Sequence, residues 1–217
     1  MTAPYAVNVD LAGRAVLVVG GGPVAARKVN GLLRAGAVVT VVSPDAVPEI
    51  ADDPDVRWHR REYRRGEVAS YRLAITATDD PAVNAQVAAD ADNANIFANS
   101  ADDPDNCSFT LPAVARHGDV QLAISTGGRS PALARWLRRR YERELSAGYD
   151  QLLDLLAETR VEVRSLRGTS EVRGWDDALD ADLLGLVRAG RIEDARSMLR
   201  DALGIDATAL ATTEIAS

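Results

Sequence analysis

Apolar residues in this chain fall first into short continuous runs and later into helical spacing. Ala15 to Val19 is an unbroken apolar stretch, the pattern of a strand buried on both faces of a parallel sheet. Gly20-Gly21-Gly22 follows at once. Val24, Ala25, Val29, Leu32 and Leu33 then recur at helical spacing as far as Gly36, a C-terminal stop. Ala37 to Val42 is a second β-branched run closed by Ser43-Pro44, so the order is strand, glycine turn, helix, strand. Val56 to His59 predicts a third strand, and Leu73 to Ala77 a fourth that stops at Thr78-Asp79-Asp80-Pro81. A helix carrying Val83, Val87 and Ala88 and a fifth strand at Ile96 to Ala98 continue the alternation. Elements alternating at these lengths predict an α/β fold with a Rossmann-type, doubly wound parallel sheet.

The pattern changes after Asp102-Asp103-Pro104-Asp105. Ser108 to Ala115 and Val120 to Ser125 read as two strands around the turn Arg116-His117-Gly118-Asp119. Thr126-Gly127-Gly128-Arg129-Ser130-Pro131 then opens a long helix through Leu133, Trp136, Leu137 and Tyr141. From about Tyr149 the spacing is helical, through Leu152, Leu155, Val163, Leu183, Val187, Ala195 and Leu199 to a stop at Gly204. The expected organisation is a dinucleotide-binding domain over 1–112, a small α+β segment over 113–147, and a helical region over 148–217. The Ala/Thr tail from Asp206 is expected to fray.

Composition narrows the function. A formal net charge of −7 excludes a global basic field for nucleic acid. Cys107 is the only cysteine, so neither a disulfide framework nor a multi-thiolate metal site can form within one chain, which suits a reducing compartment. The N-terminus lacks the basic and apolar regions of a signal peptide, and no apolar run approaches the roughly 18 residues of a bilayer span. The expectation is a cytoplasmic protein without a membrane partner. Lys28 is the only lysine and follows the glycine turn directly, though biased codon usage accounts for its solitude.

The segment Gly20-x-Gly22-x-x-Ala25 matches the dinucleotide fingerprint after a strand and at the opening of a helix. Gly20 serves the tight turn, Gly22 the close approach of a pyrophosphate, and Ala25 the packing of helix on strand. Pro23 and Val24 begin the helix whose unpaired N–H groups face the phosphates. The acidic residue usual about 20 residues onward is missing from the strand end, where Ser43-Pro44-Asp45 stands instead. Either Asp45 or the Ser43 hydroxyl could reach the adenosine ribose. No arginine lies adjacent to take a 2′-phosphate, so NAD is expected rather than NADP. Thr78, at the end of the fourth strand, is a further cofactor-binding candidate.

Asn99-Ser100-Ala101-Asp102-Asp103-Pro104 lies where ligands of open α/β sheets bind, outside the carboxyl ends of the strands. A carboxylate there could accept a proton as substrate loses hydride, although an Asp-Pro surface turn has the same composition. Cys107 reads as a small buried thiol. His59 and His117 are the only histidines, which excludes a histidine-rich iron or haem site.

Four segments, in order and spacing, resemble one family: Val18 to Lys28, Ala77-Thr78-Asp79-Asp80, Asn99-Ser100-Ala101-Asp102, and Ser125 to Pro131. It is the precorrin-2 dehydrogenase family, which includes the dehydrogenase/ferrochelatase half of sirohaem synthase. The resemblance covers roughly residues 5 to 145 and extends more loosely through the helical end. It implies NAD-dependent oxidation of precorrin-2 to sirohydrochlorin, with Fe²⁺ insertion as a second reaction in bifunctional members. It also implies a homodimer, with the region around Thr110 to Leu145 making the subunit contact and helping to form the substrate cleft. The family's Asn-x-x-Asp aspartate, implicated in both activities, corresponds to Asp102, with Asp103 as second choice.

The tetrapyrrole's many carboxylates call for arginines, and Arg116, Arg129, Arg135, Arg138, Arg139 and Arg140 are the candidates. Thr126, Gly127, Arg129 and Ser130 form the expected substrate loop, because that turn can set Arg129 and a helix N-terminus together against an anion. Arg138 to Arg140 equally suit a solvated helix face. His117 and Asp102 are candidates for transient contact with Fe²⁺, with no resident metal site. In some members a serine before Gly-Gly is modified, and Thr126 stands at the equivalent place here. The length leaves no room for the methyltransferase fused onto long sirohaem synthases, so a separate uroporphyrinogen methyltransferase is the expected upstream partner.

A dinucleotide-sensing regulatory module would explain the first hundred residues, but not the arginine-rich annex or Thr126 to Pro131. A dehydrogenase for a smaller acid lacks the expected catalytic His or Tyr–Lys pair.

Overall fold

The computed structural model describes residues 4–101, 103–145 and 148–205. It divides by internal contacts into two units, Met1–Leu111 and Pro112–Ser217.

In the first unit five parallel strands lie in the order β3-β2-β1-β4-β5, with β1 at Ala15–Val19, β2 at Val38–Ser43, β3 at Val56–Arg60, β4 at Leu73–Thr76 and β5 at Phe97–Ser100. The chain winds outward from β1 to β3, then crosses back to β4 and β5. The order therefore reverses between β1 and β4, and the crevice at the carboxyl ends there is the ligand position of such sheets. Helix α1 (Pro23–Arg34) joins β1 to β2, the short α2 (Pro48–Ala51) joins β2 to β3, and α3 (Pro81–Asn93) joins β4 to β5.

Period-two alternation sorts the strand side chains into two cores. Val16 and Val18 pack with Ala25, Val29, Val39, Val41, Ile50 and Ile75 on the α1 face. Leu17 and Val19 pack with Val42, Val68, Ala74, Val87, Ala91 and Ala98 on the α3 face. Burial on both faces explains the unbroken apolar runs.

The second unit begins with an antiparallel hairpin of β6 (Ala113–His117) and β7 (Val120–Ile124). Helices α4 (Pro131–Leu145), α5 (Tyr149–Arg167), α6 (Trp175–Asp180), α7 (Leu183–Arg188) and α8 (Ile192–Ala202) follow. Leu152, Leu155, Val163, Leu183, Val187, Ala195 and Leu199 form its apolar core.

Three sequence expectations shift. The fifth strand runs Phe97–Ser100 rather than Ile96 to Ala98, because Asn95 takes a left-handed φ of 56° and delays the strand. This draws Asn99 and Ser100 into the buried sheet. The sixth begins at Ala113 rather than Ser108, since Ser108 and Phe109 are held by hydrogen bonds to Ala98 and Asn99 beside β5. Arg116 and His117 belong to β6 rather than to the turn. His117 pairs with Val120, leaving Gly118-Asp119 as a two-residue hairpin loop with Gly118 at a φ of 49°. The tail from Asp206 lies outside the described residues.

Candidate functional site

The β1–α1 turn is shaped by what its glycines leave out. A Cβ on Gly20 would sit 2.3 Å from the Ala77 carbonyl oxygen, and one on Gly21 would sit 1.9 Å from that of Asp45. The turn is thus pressed between the loops that follow β4 and β2, and Gly21 accepts a hydrogen bond from the Val47 N–H at 2.8 Å. Gly22 differs, because nothing lies within 4 Å of the Cβ it lacks. Gly22 is the N-cap of α1, no side chain caps the helix, and Pro23 stands in its first turn. A bare helix N-terminus facing open space over a glycine fits a dinucleotide pyrophosphate. Val24 stands beside it, and Ala25 is fully buried against the sheet. Gly21 was not assigned a role from the sequence, although the unbroken Gly20-Gly21-Gly22 run was the available sign.

The loop after β2 lies beside this cradle. Ser43 is buried, and its Oγ and carbonyl oxygen both accept from Trp58 Nε1, at 3.0 and 3.2 Å. Its hydroxyl is thereby held inward. Asp45 is exposed and pairs with Arg60 at 2.9 Å, while Arg60 Nε donates to the Pro44 carbonyl oxygen at 3.2 Å. The expectation that no arginine adjoins this position is therefore corrected. Arg60 arrives from the end of β3, which pairs alongside β2, so sequence distance concealed it.

At the end of β4, the Thr78 hydroxyl donates to Asn84 Oδ1 at 2.9 Å, and Asn84 Nδ2 returns a bond to the Thr78 carbonyl oxygen at 3.0 Å. Asp80 caps α3 by accepting from Ala82 N–H at 2.8 Å. The Thr76 and Ser100 hydroxyls meet at 3.0 Å, joining the carboxyl ends of β4 and β5.

Asp102 lies outside the described residues; the residues around it are closely tied. Cys107 is half-buried rather than a buried apolar thiol. Its sulfur accepts from the Ser100 N–H and lies 3.2 Å from the carbonyl oxygens of Ser100 and Asp103. Asn99 Nδ2 donates to the Phe109 carbonyl oxygen at 3.0 Å, and Asn106 Nδ2 donates to Asp103 Oδ2 at 2.6 Å. The Asp103 carboxylate is thus already engaged.

In the second unit, Gly127 and Gly128 both adopt left-handed backbone, with φ of 59° and 77°. The Thr126 hydroxyl accepts from Ser130 N–H, and Ser130 Oγ accepts from Leu133 N–H in the first turn of α4, each at 3.2 Å. Thr126 and Ser130 therefore build the loop, and Arg129 projects from it exposed. Arg116 is exposed and donates to Gln121 Oε1 at 2.8 Å. On α4, Arg138 pairs with Glu142 and Arg140 lies over the Trp136 ring, while Arg135 and Arg139 are exposed four residues apart. His117 Nε2 meets Asp150 Oδ2 at 2.9 Å, tying the hairpin to α5. His59 is exposed. Among the described residues no three His, Cys, Asp or Glu side chains gather as a metal site, and no helix is long and apolar enough to cross a membrane.

Comparison with known proteins covers both units. A family model described as NAD(P)-binding matches residues 7–113, and one described as sirohaem biosynthesis protein central matches 117–144. A siroheme synthase of Methylococcus capsulatus is 40% identical over 191 residues, covering 86% of this chain and 40% of its own. That of Thioalkalivibrio sulfidiphilus is 39% identical over 209 residues, covering 93% of this chain and 43% of its own. The chain thus spans less than half the length of these relatives. The solved structure of SirC, precorrin-2 dehydrogenase, superposes with a TM-score of 0.67 at 29% identity, over 92% of this chain and 98% of that one. Across both units, then, the chain is similar to a precorrin-2 dehydrogenase and to the corresponding part of sirohaem synthases.

Proposed function

We propose that this protein oxidises precorrin-2 to sirohydrochlorin with NAD, in sirohaem biosynthesis. The observation that carries the reading is the bare α1 N-terminus over Gly22, in a chain that aligns with 98% of a solved precorrin-2 dehydrogenase. The nicotinamide, when bound, supplies the acceptor for the hydride that the macrocycle loses. The cradle of Gly20, Gly22, Pro23 and Val24 would hold the pyrophosphate, and the Asp45 loop the adenosine ribose. Thr78, locked to Asn84, would shape the floor of the crevice beside Gly20.

Asp102 is the proposed base for the proton that leaves with the hydride. Its neighbour Asp103 is already bound to Asn106, which favours Asp102 for the role. The Cys107 and Asn99 bonds tie Asn99, Ser100 and Asp103 to the segment that follows them. Arg129, presented on the Thr126-Gly127 turn and followed by the capped start of α4, would receive substrate carboxylates together with Arg116.

Fe²⁺ is proposed as the substrate of a second, chelatase reaction, in which Asp102 accepts pyrrole protons as the metal enters. His117 is a weaker candidate for a metal contact, because Asp150 already engages its Nε2. We also propose a homodimer built through residues 113–147, a cytoplasmic location suited to a free thiol and a soluble cofactor, and a methylating enzyme outside these residues as the source of substrate.

Anaerobic incubation with enzymatically made precorrin-2 and NAD tests the reading directly. Sirohydrochlorin should appear with matching NADH, and Asp102→Ala should abolish both; full NADH production by that variant would remove the base assignment. Loss of the sirohydrochlorin spectrum on adding Fe²⁺, faster than the protein-free control, is the expected chelatase result. NAD binding without oxidation of precorrin-2 would instead identify a dinucleotide sensor.

A further inference from the structure

We infer that the Asp45–Arg60 pair sets the choice between NAD and NADP, with Arg60 a latent receptor for the 2′-phosphate that Asp45 keeps closed. The inference rests on the dinucleotide reading above and goes beyond it by naming the residues that discriminate between the two cofactors.

Three contacts fix Arg60 at the end of β3. Nη2 lies 2.9 Å from Asp45 Oδ1, Nε donates to the Pro44 carbonyl oxygen at 3.2 Å, and the guanidinium carbon sits 5.8 Å from the centre of the Trp58 ring. Trp58 is itself held by Ser43, the last residue of β2. The guanidinium is therefore positioned beside the strand end where a Rossmann sheet reads the adenosine ribose. Gly21 closes the geometry from below: its backbone packs against the Asp45 carbonyl and accepts from Val47 N–H, so this loop and the pyrophosphate cradle form one piece.

The chemistry of the pair gives it a direction. A ribose bearing free hydroxyls can donate to the Asp45 carboxylate. A 2′-phosphate cannot donate, is repelled by that carboxylate, and finds the nearest guanidinium already neutralised. Yet the two side chains are 71% and 86% exposed, and pairs so solvated are held together only weakly. Removing the Asp45 charge while keeping its shape takes away the repulsion and frees a preorganised fork suited to phosphate.

The test is calorimetric titration of the full chain with NAD and, separately, with NADP. The proteins are wild type, Asp45→Asn, Arg60→Ala and the double variant, with thermal melts confirming that each is folded. Wild type should bind NAD more tightly than NADP by about tenfold or more. Asp45→Asn should bind NADP about tenfold more tightly than wild type does, while its NAD affinity falls. Adding Arg60→Ala to Asp45→Asn should abolish the NADP gain. An unchanged preference in Asp45→Asn would overturn the inference, as would an NADP gain that survives loss of Arg60. Failure of wild type to bind either dinucleotide would be a different result, removing the cofactor reading itself.

Discussion

Two neighbouring glycines separate folding from cofactor binding at the level of single atoms. Gly21→Ala would drive a methyl group into the Asp45 carbonyl, 1.9 Å from the new Cβ, so the β1–α1 turn and the loop after β2 must part. We expect a stability loss of about 1–3 kcal/mol in denaturant melts, with weakened dinucleotide binding. Gly22→Ala meets no atom within 4 Å and has an ordinary φ of −82°, so its melt should stay within about 0.5 kcal/mol of wild type. NAD affinity should nevertheless fall about tenfold or more, because the methyl occupies the approach to the helix N-terminus. Equal NAD affinity in Gly22→Ala and wild type would remove the pyrophosphate from that position. The glycine turn was legible because its meaning lies within six consecutive residues. Arg60 was not, since its partner Asp45 is fifteen residues away and only strand pairing brings them together. Cys107 was read by its apolar character, whereas its sulfur lies among backbone groups on both sides of the Asp102 position.

Helix α3 is joined to the chain before β4 by a buried carboxylate. Asp90 accepts from the Tyr63 hydroxyl at 2.8 Å, Gly66 N–H at 2.6 Å and Gln86 Nε2 at 2.8 Å. Burial pushes its pKa up, but these donors outweigh it and hold the carboxyl below its ordinary range. Glu67, in the adjoining 3-10 turn, is also lowered: burial opposes ionisation, and Arg61 with the Arg64 N–H overcomes it. Both groups have folded pKa values below their unfolded ones. Their stabilisation is therefore complete above the unfolded carboxylate range of about 4 and disappears as pH falls through the lowered folded values. Asp90→Asn should destabilise the protein by about 2 kcal/mol at pH 7 in urea melts, and the difference from wild type should shrink toward pH 3. A difference independent of pH would mean that shape, not charge, holds the loop. Continuous runs and helical spacing made β1, α1, β2, β4 and α3 legible. The four-residue α2 and the 3-10 turn at Glu67–Ser70 are too short to carry a period, and α2 starts at a proline that reads equally as a loop. The hairpin was misplaced by a few residues because the two strands pair chiefly with each other and show no strict alternation to mark their ends.

At the scale of the molecule, the second unit carries apolar side chains that its own core does not cover. Leu133 and Trp136 on α4 are 48% and 49% exposed, and Tyr141 of the same helix and Leu122 of β7 are exposed as well. Residues 133, 136, 137 and 141 follow helical spacing, so they form one stripe rather than scattered contacts. Their pattern was visible in the sequence, but a stripe facing a core and one facing a second subunit have the same spacing. The buried set of Leu152, Leu155, Val163, Leu183 and their neighbours is complete without Leu133 or Trp136, so the stripe is not part of that core. The proposed homodimer gives the stripe a partner. Leu133→Glu with Trp136→Glu should therefore yield a monomer in sedimentation, since charges in the centre of an apolar contact oppose association strongly. NAD affinity should stay within about twofold of wild type, because the cradle is built wholly from residues of the other unit. Precorrin-2 oxidation should fall about tenfold or more, as Arg129 and the loop opening α4 lose the support of the interface. A monomer with undiminished oxidation would show that each chain forms a complete substrate site. A dimer that survived both glutamates would move the subunit contact away from α4.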